Sequence, residues 1–258
     1  MRFLSSASRF EALFVVLFLG VFPAISQSNS PAVSAPPGIE RIQNGVQLKT
    51  GDLNVKVQFY AEGIVRVVKW PSGGTNEKLS LSVLQKALPD LDVHVEENAS
   101  KVTLSSGKIM LQLSKSDGSI QYLDSGNRTL LKEQGRPIFT PSQIARETSA
   151  FSVQQNFKLS ADEGVYGLGQ QQLGVMNYRG RTVKIVQANT KAVTPVLVST
   201  AGYGFFWDNY SKTIFDDSGG ATSFWSEVAD NIDYYFFYGP TIDQEIAGHR
   251  QLTGEAPM

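Results

Sequence analysis

Five acidic side chains fall between residues 216 and 233 of the 258-residue chain: Asp216, Asp217, Glu227, Asp230 and Asp233. Paired carboxylates can hydrolyse a glycosidic bond, one donating a proton while the other attacks or activates water. Asp216 and Asp217 are adjacent, however, and neighbours on a strand point to opposite faces, so on a strand they cannot jointly flank one bond. Solvated turn positions or a Ca²⁺ loop are the alternatives, and a solvated or structural role is the expectation for the stretch. There are only 2 histidines, His94 and His249, and no cysteine. Disulfides, thiolate metal sites and a cysteine nucleophile are therefore excluded within the chain, and no metal or cofactor site is expected.

Two further segments have the composition of binding sites. Gly167-Leu168-Gly169-Gln170-Gln171-Gln172 has the look of a phosphate loop but lacks the G-x-G-x-x-G spacing and a following Walker lysine. It reads instead as a β-bend where glycine lets two backbones approach closely. Gly202-Tyr203-Gly204-Phe205-Phe206-Trp207-Asp208-Asn209-Tyr210 is an aromatic strand ending in amide and carboxylate groups. Such strands can stack sugars, yet aromatic residues at period two more often fill a core, and core is the expectation for Phe205 and Trp207.

These groups have to be positioned by strands. Leu53, Val55, Val57 and Phe59 alternate with polar residues, as do Leu91, Val93 and Val95, and Ile109, Leu111 and Leu113. Period two predicts half-buried strands, with His94 on a solvent-facing side. Thr50-Gly51-Asp52, Ser106-Gly107 and Asp117-Gly118 mark turns, the last predicted as a type I′ hairpin with positive φ at both central residues. Ile232 to Tyr238 is apolar on both faces and predicts a central strand buried on both sides. One helix is expected near the end. Thr241 is its N-cap, Gln244 the capping-box partner, Ile242 and Ile246 share a face, and Gly254 and Pro257 stop it.

Formal net charge is −1, which leaves no electrostatic footprint for nucleic acid and no polybasic membrane patch. Arg2 and Arg9, the apolar run from Ala12 to Phe22, and the small residues before Gln27 have the layout of a cleaved signal peptide over residues 1–26. The run is short for a membrane-spanning helix, so a secreted or periplasmic protein without a stable membrane anchor is expected. Residues 27–38, rich in Ser, Pro and Ala, read as a linker, residues 39–240 as one β-sandwich, and residues 241–258 as a helix and domain junction.

Three stretches resemble glycoside hydrolase family 31. Val165-Tyr166-Gly167-Leu168-Gly169-Gln170 is similar to the family's YGLGE/Q motif. Thr194 to Ser199, followed by Gly202-Tyr203-Gly204 and Trp207-Asp208-Asn209, resembles its P-x-x-x-S…GYG…DN segment. Asp233 to Pro240, followed by Leu252-Thr253-Gly254-Glu255-Ala256-Pro257-Met258, resembles the junction that precedes the family's catalytic barrel, with His249 where Tyr is more usual. Gly169 to Gln172, Met176 to Gly180 and Ser226 to Asp230 look most like the α-xylosidase branch.

The resemblance implies an all-β, galactose-mutarotase-like supersandwich with a short C-terminal helix. It also implies a (β/α)₈ barrel after residue 258 that holds both catalytic carboxylates, so no catalytic residue is expected in this chain. Where α-glucosidase relatives carry Trp-Asn-Arg-Asp, this chain has Val186-Gln187-Ala188-Asn189, which makes Asn189 the one expected substrate-binding residue. The implied partners are an oligosaccharide substrate and the missing barrel of the same polypeptide. The alternative is a stand-alone, non-catalytic carbohydrate-binding sandwich. A mutarotase acting alone needs a positioned acid and base, which His94 and His249 do not supply.

Overall fold

The computed structural model describes residues 38–85, 87–142, 144 and 150–255. The expected signal peptide, all but the last residue of the expected linker, and the final three junction residues lie outside the described residues. In chain order the strands begin with β1 (Gly38–Ile42), β2 (Gly45–Thr50), β3 (Leu53–Ala61), β4 (Ile64–Pro71), β5 (His94–Glu97) and β6 (Lys101–Ser105). Next come β7 (Ile109–Ser114), β8 (Ile120–Asp124), β9 (Thr129–Glu133), β10 (Ile138–Pro141), β11 (Phe151–Lys158) and β12 (Val165–Gly167). The last are β13 (Thr182–Ile185), β14 (Val196–Ser199), β15 (Tyr203–Trp207), β16 (Thr213–Asp216), β17 (Thr222–Ala229) and β18 (Ile232–Tyr238), followed by helix α1 (Ile242–Thr253).

These strands form two antiparallel sheets, one of eight strands and one of ten. The first runs β1-β2-β3-β4-β18-β15-β14-β12; the second runs β13-β16-β17-β11-β9-β8-β7-β6-β5, with β10 paired to β11. Alternation explains the sandwich. Val55, Val57 and Phe59 face inward from the first sheet, and Leu111, Leu113, Val153 and Phe157 meet them from the second. Aromatic rings fill the middle: Phe205 stacks on Tyr234 at 4.8 Å and Trp207 on Phe224 at 5.3 Å. The Trp207 indole N–H donates to Ser226 Oγ at 2.8 Å, so its polar edge is satisfied in the core.

β18 is buried on both faces, as its sequence predicts, because it lies between β4 and β15 and both sides of the first sheet are covered. Tyr234 and Phe236 enter the inter-sheet core, while Tyr235 and Phe237 join Tyr60, Ile64, Val83, Phe206 and Leu252 in a second cluster.

Two local expectations are corrected. β5 starts only at His94, since the Val93 N–H turns back to the Leu91 carbonyl at 3.0 Å and leaves the ladder; His94 itself is exposed as expected. In the connection between β7 and β8 only Gly118 takes a positive φ, +70°. Asp117 stays out of the left-handed region because its carboxylate accepts from the Ser119 N–H and hydroxyl, and five residues, not two, join the strands. Helix α1 has the full capping box of Thr241 and Gln244, with Gly254 as its C-cap, as expected. Ile242 and Ile246 are exposed, and the side chains it buries are Glu245 and Leu252.

Candidate functional site

The bend after β12 is built by three successive residues in left-handed conformations: Gly167 at φ +103°, Leu168 at +57° and Gly169 at +81°. Close approach dictates the glycines. A Cβ on Gly169 would lie 2.3 Å from the Ala192 carbonyl oxygen, and one on Gly167 would lie 2.6 Å from that of Val196. Leu168 is not glycine and bears the strain of positive φ because its side chain is wholly buried in the core. The bend pins a second element against it, as the Gln170 N–H donates to the Ala192 carbonyl at 2.6 Å.

That second element carries Asn189. After β13 the chain forms a small hairpin in which Ala188 pairs with Lys191, leaving Asn189 and Thr190 at the tip. The Gln187 amide braces it by donating to the Lys191 carbonyl at 2.7 Å and accepting from the Val193 N–H at 3.2 Å. Asn189 is exposed and its side chain bonds to no described residue. Beside the bend, Gln171 donates to the Leu168 carbonyl at 3.0 Å, while its Oε1 is buried with no partner. The surrounding loops also expose Leu173, Met176 and Val186.

Four of the five acids in the stretch are held in separate structural roles. Thr182 and Ser218 hydroxyls hold Asp216 below the usual carboxylate range. Asp217 accepts from Arg179 Nε at 2.8 Å and from the Gly180 N–H and the Thr222 hydroxyl, and it too is held low despite partial burial. Glu227 pairs with Lys212 at 2.9 Å. Asp233 is buried on β18, and Arg66 grips both its oxygens at 3.0 and 2.7 Å. Among the described residues no group of three or more His, Asp or Glu is arranged to hold a metal ion.

Sequence reasoning missed three buried polar networks. Between the sheets, Lys69 donates to Glu133 Oε2 at 2.5 Å and to Gln155 Oε1 at 3.1 Å. Tyr234 donates to the other Glu133 oxygen at 2.8 Å, and its own hydroxyl meets that of Tyr122. Burial pushes Glu133 up and Lys69 down. Strand parity was the available signal: Lys69 shares its face with Val65 and Val67, Glu133 with Leu131, and Gln155 with Val153 and Phe157.

A second network fastens α1 to the first sheet. The Ser199 N–H donates to Glu245 Oε2 at 3.1 Å, and the Ser199 hydroxyl donates to Glu163 Oε1 at 2.6 Å. Glu163 also accepts from the Tyr203 hydroxyl and the Ser160 N–H, so both its oxygens are occupied. Burial, reinforced by the charge of Glu163, pushes the Glu245 carboxyl up to about 8. Glu163 and Glu245 are only 4% and 1% exposed. The third network sits at the end of β15, where both carboxylate oxygens of Asp208 are buried without a hydrogen bond and Lys78 Nζ is 3.6 Å from Oδ1.

Comparison with known proteins places this architecture. The family model described as "Glycosyl hydrolase 31 N-terminal galactose mutarotase-like domain" matches residues 54–216. An α-xylosidase of Saccharolobus solfataricus is 34% identical over 221 residues, covering 82% of this chain and 30% of the relative. An α-glucosidase of Bacillus thermoamyloliquefaciens is 29% identical over 223 residues, covering 79% of this chain and 27% of the relative. Among solved structures, an α-xylosidase from Xanthomonas citri superposes with a TM-score of 0.77 at 20% identity, covering 85% of this chain and 40% of its own. A soil-metagenome α-xylosidase complexed with xylose gives 0.76 at 22% identity, covering 86% of this chain and 35% of its own. The chain thus spans about a third of the length of the proteins it matches.

Proposed function

Because the chain belongs to glycoside hydrolase family 31, as that family's N-terminal galactose mutarotase-like domain, we propose that it supports the sugar pocket of a secreted or periplasmic retaining α-glycosidase of the α-xylosidase type. Retaining hydrolysis takes two carboxyl groups about 5–5.5 Å apart across the scissile bond. In this reading they stand on a catalytic barrel encoded beyond residue 258, and the substrate is a terminal α-linked sugar of an oligosaccharide. Asp233, Asp217, Glu133 and Glu227 are committed to Arg66, Arg179, Lys69 and Lys212, which supports a non-catalytic role for this domain.

The observation that carries the reading is the free amide of Asn189 at the tip of a hairpin braced by Gln187 and pinned to the Gly167–Gly169 bend. A side chain that positions a sugar must be exposed and unspent while its backbone is held still. Asn189 meets both conditions and can donate to one sugar hydroxyl while accepting from another. The test is Asn189→Ala in the full-length enzyme with an aryl α-xyloside. The expected loss in kcat/KM is about tenfold, the scale of one hydrogen bond. Unchanged kinetics removes Asn189 from the pocket.

Two further measurements bear on the same reading. Residues 27–258 alone should turn over neither aryl α-xyloside nor aryl α-glucoside. Turnover lost on replacing one of Asp216, Asp217, Glu227, Asp230 or Asp233 would place the chemistry in this domain. Mass spectrometry of exported protein should find an N-terminus near Gln27, and an intact Met1 contradicts signal-peptide cleavage.

A further inference from the structure

On the outer face of the ten-stranded sheet, one straight cross-strand row joins five strands. Lys184 of β13 is paired with Ile214 of β16, Ile214 with Trp225 of β17, Trp225 with Gln154 of β11, and Gln154 with Ile138 of β10. All five face away from the core, since their strand neighbours Val183, Phe215, Phe224 and Val153 are the buried ones. A second row runs beside it through Thr182, Asp216, Ser223 and Asn156. The first row offers an aromatic ring between aliphatic side chains; the second offers hydroxyls, an amide and a carboxylate.

We propose that this face is a second saccharide-binding surface, in which Trp225 stacks on the apolar side of a pyranose ring of a neutral oligosaccharide. The flanking Gln154 and Asn156 bond its hydroxyls. The choice of a sugar as occupant rests on the reading above; the surface itself does not depend on Asn189. Gln154 Nε2 donates to Asn156 Oδ1 at 2.8 Å, which orients both amides and leaves Gln154 Oε1 and Asn156 Nδ2 turned to solvent chemistry. Lys212 stands 5.5 Å over Trp225 but is neutralised by Glu227 at 2.9 Å, which leaves Lys184, at the far end, as the one charge in the row. Trp225 is half-buried with Lys212 over its ring, so a stacked sugar displaces the ammonium from that face. The row ends on β13, which continues directly into the hairpin of Asn189. An oligosaccharide lying along the row would therefore be held on the approach to that hairpin.

The chain supplies its own reporter. Of its 3 tryptophans, Trp70 and Trp207 are buried at 8% and 0% exposure, so Trp225 is the one that an aqueous quencher reaches. The whole chain is run through native gels containing dextran, xyloglucan or an anionic polysaccharide, and iodide quenching is measured with and without isomaltotriose. Retardation by a neutral glucan and protection of fluorescence by isomaltotriose are expected. Trp225→Ala should weaken retardation about tenfold while leaving circular dichroism unchanged, and Gln154→Ala should weaken it less. Asn189→Ala is read by kcat/KM on an aryl α-xyloside and Trp225→Ala by retardation on a glucan, so the pocket reading and this surface fail separately. Absence of retardation by both neutral glucans, retardation by the anionic polymer alone, or equal retardation of Trp225→Ala would overturn the proposal. Should Trp225→Ala fail to fold, Trp225→Phe with Gln154→Ala and Asn156→Ala reads the same loss.

Discussion

The ammonium of Lys69 and the carboxylate of Glu133 meet at 2.5 Å midway between the two sheets, and neither side chain has any exposure to solvent. Such a pair is costly to break because the partner left behind stays buried and charged. Lys69→Met should cost about 3–5 kcal/mol of stability. The double variant Lys69→Met with Glu133→Gln removes both charges yet keeps an amide oxygen to accept from the Ile120 N–H and an NH2 to donate to the Tyr234 hydroxyl. Urea unfolding should find the double variant more stable than Lys69→Met alone; the reverse order means that the pair is not coupled.

The Glu245 carboxyl gives the chain a pH dependence whose sign is fixed by its surroundings. Its value is raised from 4.5 to about 8 in the folded protein by burial first, then by the charge of Glu163. The folded state thus binds this proton more tightly than the unfolded state does. Its stabilising contribution is complete below pH 4.5 and is lost as pH rises to about 8. Among the described residues the network places the titratable groups of Glu163 and Tyr203 against it. Glu245→Gln should flatten the decline between those limits, seen as a melting temperature above wild type at pH 8. A parallel decline in both proteins removes Glu245 as its source.

Backbone approach at the Gly169 bend can be separated from its dihedral strain. Gly135 also has positive φ, +72°, but nothing lies within 4 Å of its absent Cβ. Gly135→Ala should therefore cost only the left-handed penalty, about 1–2 kcal/mol. Gly169→Ala adds collisions with Ala192, Thr194 and Val193 backbone atoms and should cost clearly more. Chemical denaturation of the two variants side by side makes the comparison, and equal losses would mean that the hairpin of Asn189 yields freely.

Much of this was legible in period two. The inward residues of β3 and β7, the doubly buried β18, the bend at Gly167–Gly169 and the capping box of α1 all follow from local pattern and local chemistry. The outward turn of Ile242 and Ile246 does not. Glu245 is drawn inward by Ser199, which is 46 residues earlier in sequence, and no window centred on the helix contains that fact. The same holds for the row through Trp225, since register between β13, β16, β17, β11 and β10 is a property of the sheet and not of any one strand. Asn189 was placed by motif resemblance, and its exposure at a hairpin tip is a matter the sequence around it leaves open.

The last strand of the first sheet sits in the sheet's middle. β18 lies between β4 and β15, and the pairing of Phe237 with Ile64 spans most of the described chain. During synthesis from the N-terminus, β1 to β4 and then β12, β14 and β15 emerge as two separate half-sheets, each with an open hydrogen-bonding edge. They wait for residues 232–238 to join them. Contacts this distant in sequence make for slow folding, and exposed strand edges are sites of mispairing while they last. A chain that ended before Ile232 would contain every strand of both half-sheets and no strand to bridge them.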